Sequence, residues 1–438
     1  MSVRVPTTLK SIGLAVAACM SLWPGSLPRG PLAQAVLTTV CVVLALVAVR
    51  LVGTRRGPRR SPVVAGAATC VIAACVIREH LWQNIIRGAM DVPRIPLHYW
   101  PTVLVLVVAA SAVVLQVPRV LRRASTTPIR VMSVAVVAVG VLLSFTGPST
   151  ATDSVGGVTA ARSGSAVSLI PWSTLDEHGQ RVVTGGATPD TIRVYAGLHS
   201  GPDPRSRADL AVDELDRVGA FDRNVLVVAV PTGSGWVDEA ALSEVDARLG
   251  TRAATVSVQY SDSPSWLAYL TERDRALDAT SALLTAITDR LSHRAIDQRP
   301  DVVVYGQSLG AWAARAALDA APRHVRSAVC GTVSVGPPPA ERPGPSPVPD
   351  TVVSNASDPV PTWSPSTIVD PPRRDSRVRS DSPLPSWFPV LSFASATADL
   401  ILATGAPAGH GHRYGPEQGA AIVDQTADGC GNSPRAAS

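Results

Sequence analysis

Five apolar stretches crowd the first part of this 438-residue chain, at 11–23, 32–49, 62–77, 102–117 and 131–145. A helix that crosses a bilayer wants about 20 apolar residues, with about 17 near the lower limit. Only 32–49 meets that outright. The others rely on flanking small residues and on arginines whose stems lie along apolar surface while the charge stays in water. Several such stretches in so short a span have little soluble alternative. They read as a membrane domain of about five helices over 1–147.

Charge divides at the same place. Up to residue 149 there are 15 Lys and Arg against two acids, Glu79 and Asp91; beyond it there are 24 basic and 32 acidic residues. The net charge of +5 therefore reflects the loops between apolar stretches, and the rest of the chain is acidic. An acidic globular part is a poor nucleic-acid partner. The arginines cluster at 50–60 and 119–130, and Arg4 and Lys10 precede the first stretch. By the positive-inside rule the amino terminus is cytoplasmic. Five crossings then carry the remainder outside an inner, multi-pass membrane domain. Residues 81–89, with Leu81, Trp82, Ile85, Ile86 and Ala89 on one helical face, read as an interfacial helix or as packing between helices. Transport through this half is disfavoured, because neither Glu79 nor Asp91 falls within a stretch.

Residues 148–165 are rich in Gly, Ser, Thr and Ala and read as a flexible tether. After it, over 166–438, Val-rich runs alternate with amphipathic segments. Strands are predicted at 191–197, 224–230, 254–260, 301–305, 325–335 and 351–354, and helices at 205–218, 266–291, 311–321 and 418–428. Such alternation predicts an α/β fold, a mostly parallel sheet covered by helices on both faces. Residues 337–349 are proline-dense and read as an irregular connection. Residues 371–385, carrying Arg373, Arg374, Arg377 and Arg379, read as a solvated loop, with a lid or a lipid-headgroup contact as the other readings.

The strand at 301–305 runs into Gly306-Gln307-Ser308-Leu309-Gly310 and then a helix-forming run. That order holds a serine hydroxyl exposed on a strained turn. A serine is a poor nucleophile at neutral pH and needs a base, which needs a carboxylate to hold its tautomer. Asp358 follows the strand at 351–354, and His410 and His412 lie in Gly409-His410-Gly411-His412-Arg413-Tyr414-Gly415. Ser308, Asp358 and His410 form the candidate triad, with His412 as the alternative base. His410 is preferred because a small residue before it and a glycine after it suit an exposed loop tip. The oxyanion is assigned to the backbone N–H of Leu309 and to Thr232 or Gly233, in the Gly-rich loop 231–236 after another strand. Trp236, Trp266, Trp363, Trp387 and Phe388 read as core or as lining for an acyl pocket.

Four cysteines fall within apolar stretches, where Cys behaves as a small hydrophobe. Cys330 and Cys430, in the globular part, are a candidate disulfide pair for an oxidising compartment. No spacing of Cys or His fits a metal, and no cofactor is expected.

With these residues in place, the chain resembles a family of bacterial, mostly actinobacterial, membrane α/β-hydrolases. The resemblance rests on residues 21–29 (SLWPGSLPR), 231–237 (PTGSGWV), Gln259-Tyr260-Ser261 with Pro264-Ser265-Trp266, the serine turn, Asp358-Pro359-Val360, Trp387-Phe388-Pro389 and 409–415. It implies an amino-terminal helical membrane domain, an α/β-hydrolase domain and serine hydrolase activity. Where the family pattern has Glu before the nucleophile, this chain has Gln307. The combined reading is a membrane-anchored serine esterase working through an acyl-enzyme, on an acyl ester of the cell envelope such as a lipid. The alternatives are acyl transfer to an envelope hydroxyl, or a non-catalytic membrane protein with a hydrolase-like binding domain. The partners are the lipid bilayer and that ester; oligomeric state is not read.

Overall fold

A computed structural model of the chain describes residues 7–52, 61–121, 158–186, 188–339, 346–373 and 378–427. These fall into two compact units. The first, here the helical unit, takes in Met1–Thr150 with Trp363–Pro372 and Asp381–Pro407; the second, the sheet unit, takes in Ala151–Thr362, Arg373–Ser380 and Ala408–Ser438.

Four of the apolar stretches become α1 (Thr7–Ser21), α2 (Pro31–Val52), α3 (Pro62–Ala89) and α4 (Tyr99–Leu121). The stretch 131–145 lies outside the described residues. At 1.5 Å per residue α2 and α3 run about 33 and about 42 Å. Among the described residues these two are long and apolar enough to cross a membrane, and only 22% and 17% of their apolar windows are buried. The segment 81–89 is not a separate interfacial helix but the last part of α3, with Ile86 buried and Leu81 and Ile85 exposed. Ser61 caps α3 at its start and no proline interrupts it, so the helix runs on past residue 77. Glu79 consequently lies inside an apolar helix, contrary to the sequence reading. It is buried and accepts a hydrogen bond from Gln83 Nε2 at 3.0 Å.

The sheet unit has the predicted parallel α/β architecture, with helices at 177–184 and 239–249 that the sequence reading lacked and a short helix at 323–327 where the strand expected over 325–335 begins. Its chain order is α5 (Glu177–Thr184), β1 (Ile192–Ala196), α6 (Pro204–Arg217), β2 (Val225–Val230), α7 (Glu239–Leu249) and β3 (Ala253–Val258). Then come α8 (Ser265–Thr271), α9 (Arg273–Ser292), β4 (Asp301–Gln307), α10 (Leu309–Ala320), α11 (Arg323–Ser327), β5 (Val329–Val335) and β6 (Asp350–Val353). The six strands are all parallel, in the order β1-β3-β2-β4-β5-β6. Every residue of β1, β2, β3 and β5 is buried, as a sheet covered on both faces requires. The single helix expected over 266–291 is two, because Glu272 leaves helical geometry (φ −133°, ψ 24°) and its carboxylate accepts from the Ser261 and Ser263 hydroxyls.

The strand order reverses about β2, and ligands of open α/β sheets sit at the carboxyl ends of strands beside such a reversal. Register puts Val230 opposite Gly306, Gln307 opposite Val335, and Val335 opposite Val353. The segments leaving β2, β4, β5 and β6 are therefore brought side by side at one edge.

Part of the expected tether is fixed structure. Arg162 is buried and donates to the carbonyls of Val183 (3.0 Å), Gly185 (2.6 Å) and Thr188 (2.8 Å), while Ser163 Oγ accepts the Tyr195 N–H at 3.0 Å. One buried guanidinium satisfying several carbonyls outweighs a composition that reads as flexible. A register shift between β4 and β5 falls beside Cys330, which is disulfide-bonded; Cys430 lies outside the described residues.

The last third of the chain alternates between the units. Residues 363–372 and 381–407, including α12 (Leu391–Leu402), belong to the helical unit, while 373–380 and α13 (Glu417–Ala427) belong to the sheet unit. The solvated-loop reading of 371–385 holds only in part. Arg379 pairs with Asn355 as a short strand-like bridge, Ala356 N–H donates to Arg379 O at 2.8 Å, and residues 374–377 lie outside the described residues.

Candidate active site

Ser308 has φ 55° and ψ −122°, a backbone region that a residue with a Cβ seldom adopts. The turn is held open to that strain by two glycines. A Cβ at Gly310 would stand 2.3 Å from Val230 O, and one at Gly306 would stand 2.5 Å from the Gly310 backbone. Only hydrogen at both positions lets β4 reverse into α10 against the end of β2. Ser308 N–H donates to Val335 O at 2.9 Å, which ties the turn to β5. Ser308 itself is half-buried.

Asp358 is buried in the loop after β6. Its Oδ1 accepts the Val360 N–H at 2.9 Å, and its Oδ2 accepts from His412 Nδ1 at 2.7 Å and from the Tyr414 hydroxyl at 2.6 Å. His412, not the preferred His410, is thus the histidine joined to Asp358. Local geometry decides it. Gly409 and Gly411 take φ 82° and 55°, Arg413 N–H closes the turn on His410 O at 3.1 Å, and Gly411 is fixed from below. Asn355 Nδ2 donates to Gly411 O at 3.0 Å, and Gly411 N–H donates to Ser357 Oγ at 2.8 Å. These contacts turn His412 inward and leave His410 half-buried on the outer limb. A carboxylate on Nδ1 keeps the proton there and leaves Nε2 as the basic nitrogen. Nε2 is buried and makes no hydrogen bond.

Two contacts set the imidazole beside the serine turn. Gln307 Nε2, adjacent to Ser308, donates to His412 O at 3.1 Å. Gly336, which follows the strand that accepts Ser308 N–H, is so close that a Cβ there would lie 2.8 Å from His412 Cε1 and 2.9 Å from Asp358 Oδ2. Ser308, His412 and Asp358 are thereby gathered at the carboxyl edge of β4, β5 and β6, with His412 Nε2 not hydrogen-bonded to the serine.

The oxyanion assignment narrows. Thr232 N–H is taken by Trp236 O at 2.9 Å, so Thr232 has no amide to offer and the earlier reading is corrected there. Gly233 is the remaining candidate in that loop. The loop is held by buried hydroxyls: Tyr195 to Gly235 O at 2.7 Å and Tyr260 to Pro231 O at 3.1 Å. Leu309 is the first residue of α10, where amides have no acceptor within the helix. Of the aromatic residues, Trp363, Trp387 and Phe388 belong to the helical unit and Trp266 is 65% exposed, so none of these four is core of the sheet unit.

Sequence reasoning passed over Tyr414, although it stands two residues from His412. Burial, the charge of Asp358 and the hydrogen bond to it together hold the Tyr414 phenol well above its ordinary value, so it stays a donor across the working pH range. Its proton draws charge from the same oxygen that faces His412. Tyr414→Phe removes one donor from the buried Asp358 carboxylate and is expected to cost about 1–3 kcal/mol of stability, read as a lowered unfolding temperature. A variant that melts with wild type contradicts this role.

Residues 192–343 and 348–432, together more than half of the chain, match the model of an alpha/beta-hydrolase family. A Trichoderma reesei cutinase solved in complex with a C11Y4 phosphonate inhibitor is similar over 45% of this chain and 88% of its own, at 17% identity and a TM-score of 0.26. No curated protein sequence matches the chain.

Proposed function

Since the chain belongs to the alpha/beta-hydrolase family, we propose that it is a serine hydrolase of carboxylic esters, with Ser308 as nucleophile, His412 as base and Asp358 as its orienting carboxylate. The observation that carries the proposal is the His412–Asp358 bond of 2.7 Å beside a serine held at φ 55°. Ser308 Oγ attacks the ester carbonyl as His412 Nε2 takes its proton. The Leu309 and Gly233 amides receive the oxyanion, and collapse expels the alcohol, to which His412 returns the proton. Water, deprotonated by His412, then attacks the acyl-enzyme and releases the acid and the free serine.

In the same proposal the amino-terminal helices anchor the enzyme in the cytoplasmic membrane as a multi-pass domain, with the hydrolase domain on the outer side. The substrate is an acyl ester of the envelope, a lipid by preference. Two helices of membrane-crossing length and the basic loops between apolar stretches support that anchoring.

A fluorophosphonate probe tests the chemistry. Wild type should label stoichiometrically and Ser308→Ala should not label. Equal labelling of both, or none of wild type, would remove Ser308 from the mechanism.

A further inference from the structure

The chain enters α12 through Phe388-Pro389-Val390. Val390 has φ 64°, a conformation that a β-branched residue almost never takes without being forced. Three contacts force it: Val390 N–H donates to Ile368 O at 2.8 Å, Phe388 N–H to Ser392 Oγ at 2.8 Å, and Trp387 Nε1 to Thr367 O at 3.2 Å. Together they hold three apolar side chains in the open at one tip: Phe388 is 52%, Val390 50% and Val369 65% exposed.

Polar and apolar neighbours mark where that tip stands. The Trp23 ring, just beyond the end of α1, lies 5.4 Å from Phe388, with the Arg78 guanidinium 4.5 Å from the Trp23 ring. Arg78 also donates to Leu22 O at 3.1 Å, and Trp23 Nε1 donates to Ser392 Oγ at 3.2 Å. Tryptophan favours a bilayer's headgroup level and arginine reaches it along its aliphatic stem; here Trp23 follows the end of α1, and Arg78, within α3, reaches over its ring. One residue past the tip, Leu391 joins Ile12, Val16, Val64 and Val71 in a groove of about 360 Å³. The tip is thereby continuous with the apolar surface of α1 and α3. The opposite stripe of α12, Ser392, Ser395 and Asp399, is bonded to residues 23–29 and fixes the helix against rotation.

We propose that the tip formed by Phe388, Val390 and Val369 inserts into the interfacial layer of the lipid bilayer, at the level marked by Trp23 and Arg78. This rests on the membrane-anchored reading above. The tip is built from two segments of the helical unit, Trp363–Pro372 and Asp381–Pro407, between which residues 373–380 belong to the sheet unit.

The test places a bimane label at Val390→Cys or at Val369→Cys, one at a time, in full-length protein whose Cys19, Cys41, Cys70 and Cys75 are replaced by alanine. The protein is reconstituted in phosphatidylcholine–phosphatidylglycerol vesicles containing lipid with a nitroxide at acyl carbon 5. Leu44→Cys, exposed on α2, and Asp213→Cys, exposed on α6, are the references. Both tip labels should lose most of their emission to the lipid nitroxide and little to aqueous iodide, as the Leu44 label does. Tip labels that follow the Asp213 label, while the Leu44 label is quenched from the lipid, overturn the proposal and leave the anchor standing. A Leu44 label quenched by iodide removes the anchor and the tip together. Tip labels shielded from both quenchers mean that protein covers the patch, a second copy for example, and also overturn the proposal.

Discussion

His412→Ala is expected to lower kcat/KM for ester hydrolysis by on the order of 10⁴-fold, while His410→Ala keeps activity within about tenfold of wild type. The two residues differ by one turn of a small loop, yet only His412 meets Asp358, at 2.7 Å. Under the proposed mechanism its removal leaves Ser308 without a base, and it leaves the buried Asp358 carboxylate without its imidazole partner. His410 belongs to the outer limb, where its carbonyl closes the turn. His410→Ala keeps that carbonyl and so keeps the loop. Steady-state rates on a p-nitrophenyl ester, with circular dichroism to confirm folding, separate the two. A large loss from His410→Ala with little from His412→Ala would reverse the assignment.

The second large effect is expected in the helical unit. Arg29 and Asp399 form an ion pair at 3.0 Å with both side chains 1% exposed. Arg29 also donates to Ser395 Oγ at 2.7 Å and to Trp23 O at 3.3 Å, and Asp399 Oδ2 accepts the Ser26 N–H at 2.6 Å. Truncating one partner strands the other charge without water, which costs about 3–5 kcal/mol. Arg29→Ala and Asp399→Ala should each lower the unfolding temperature of this unit markedly. Arg29→Met combined with Asp399→Leu should recover part of the loss, because no bare charge remains. Recovery stays partial, since the Ser26 amide and the carbonyls that Arg29 served lose their partners. Among the described residues the free thiols lie in this unit, with Cys75 buried and Cys19 and Cys41 half-buried, so in a Cys70→Ala background a thiol-reactive dye followed through a thermal ramp reads its unfolding. Single variants that melt with wild type would show that the pair contributes nothing.

What the sequence made legible was what local chemistry dictates. A run of β-branched residues ending in Gly-x-Ser-x-Gly is strand, turn and helix because only glycine fits at Gly306 and Gly310, and the alternation around it implies a parallel sheet. Asp358 was legible because it follows a strand at the sheet edge where the serine turn emerges. The choice between His410 and His412 was not, because it depends on Asn355 and Ser357, more than fifty residues away, gripping Gly411. Thr232 looked as suitable as Gly233 because nothing local foretells that its amide closes a turn on Trp236. The membership of α12 was hidden for a similar reason. Ser392, Ser395 and Asp399 are a thin polar stripe on an apolar helix, and the arginine that reads it lies 370 residues earlier. Arg162 shows the same thing on a smaller scale, one buried side chain fixing a segment whose composition reads as loose.

The proposed mechanism makes Ser308 Oγ the attacking atom. Peptide mapping by mass spectrometry after treatment with a phosphonate ester inhibitor tests it most directly. A single phosphonyl adduct is expected, on the peptide that carries Ser308, formed rapidly in wild type and far more slowly in His412→Ala. An adduct on another residue, or an unmodified Ser308 peptide under conditions that abolish activity, would contradict it.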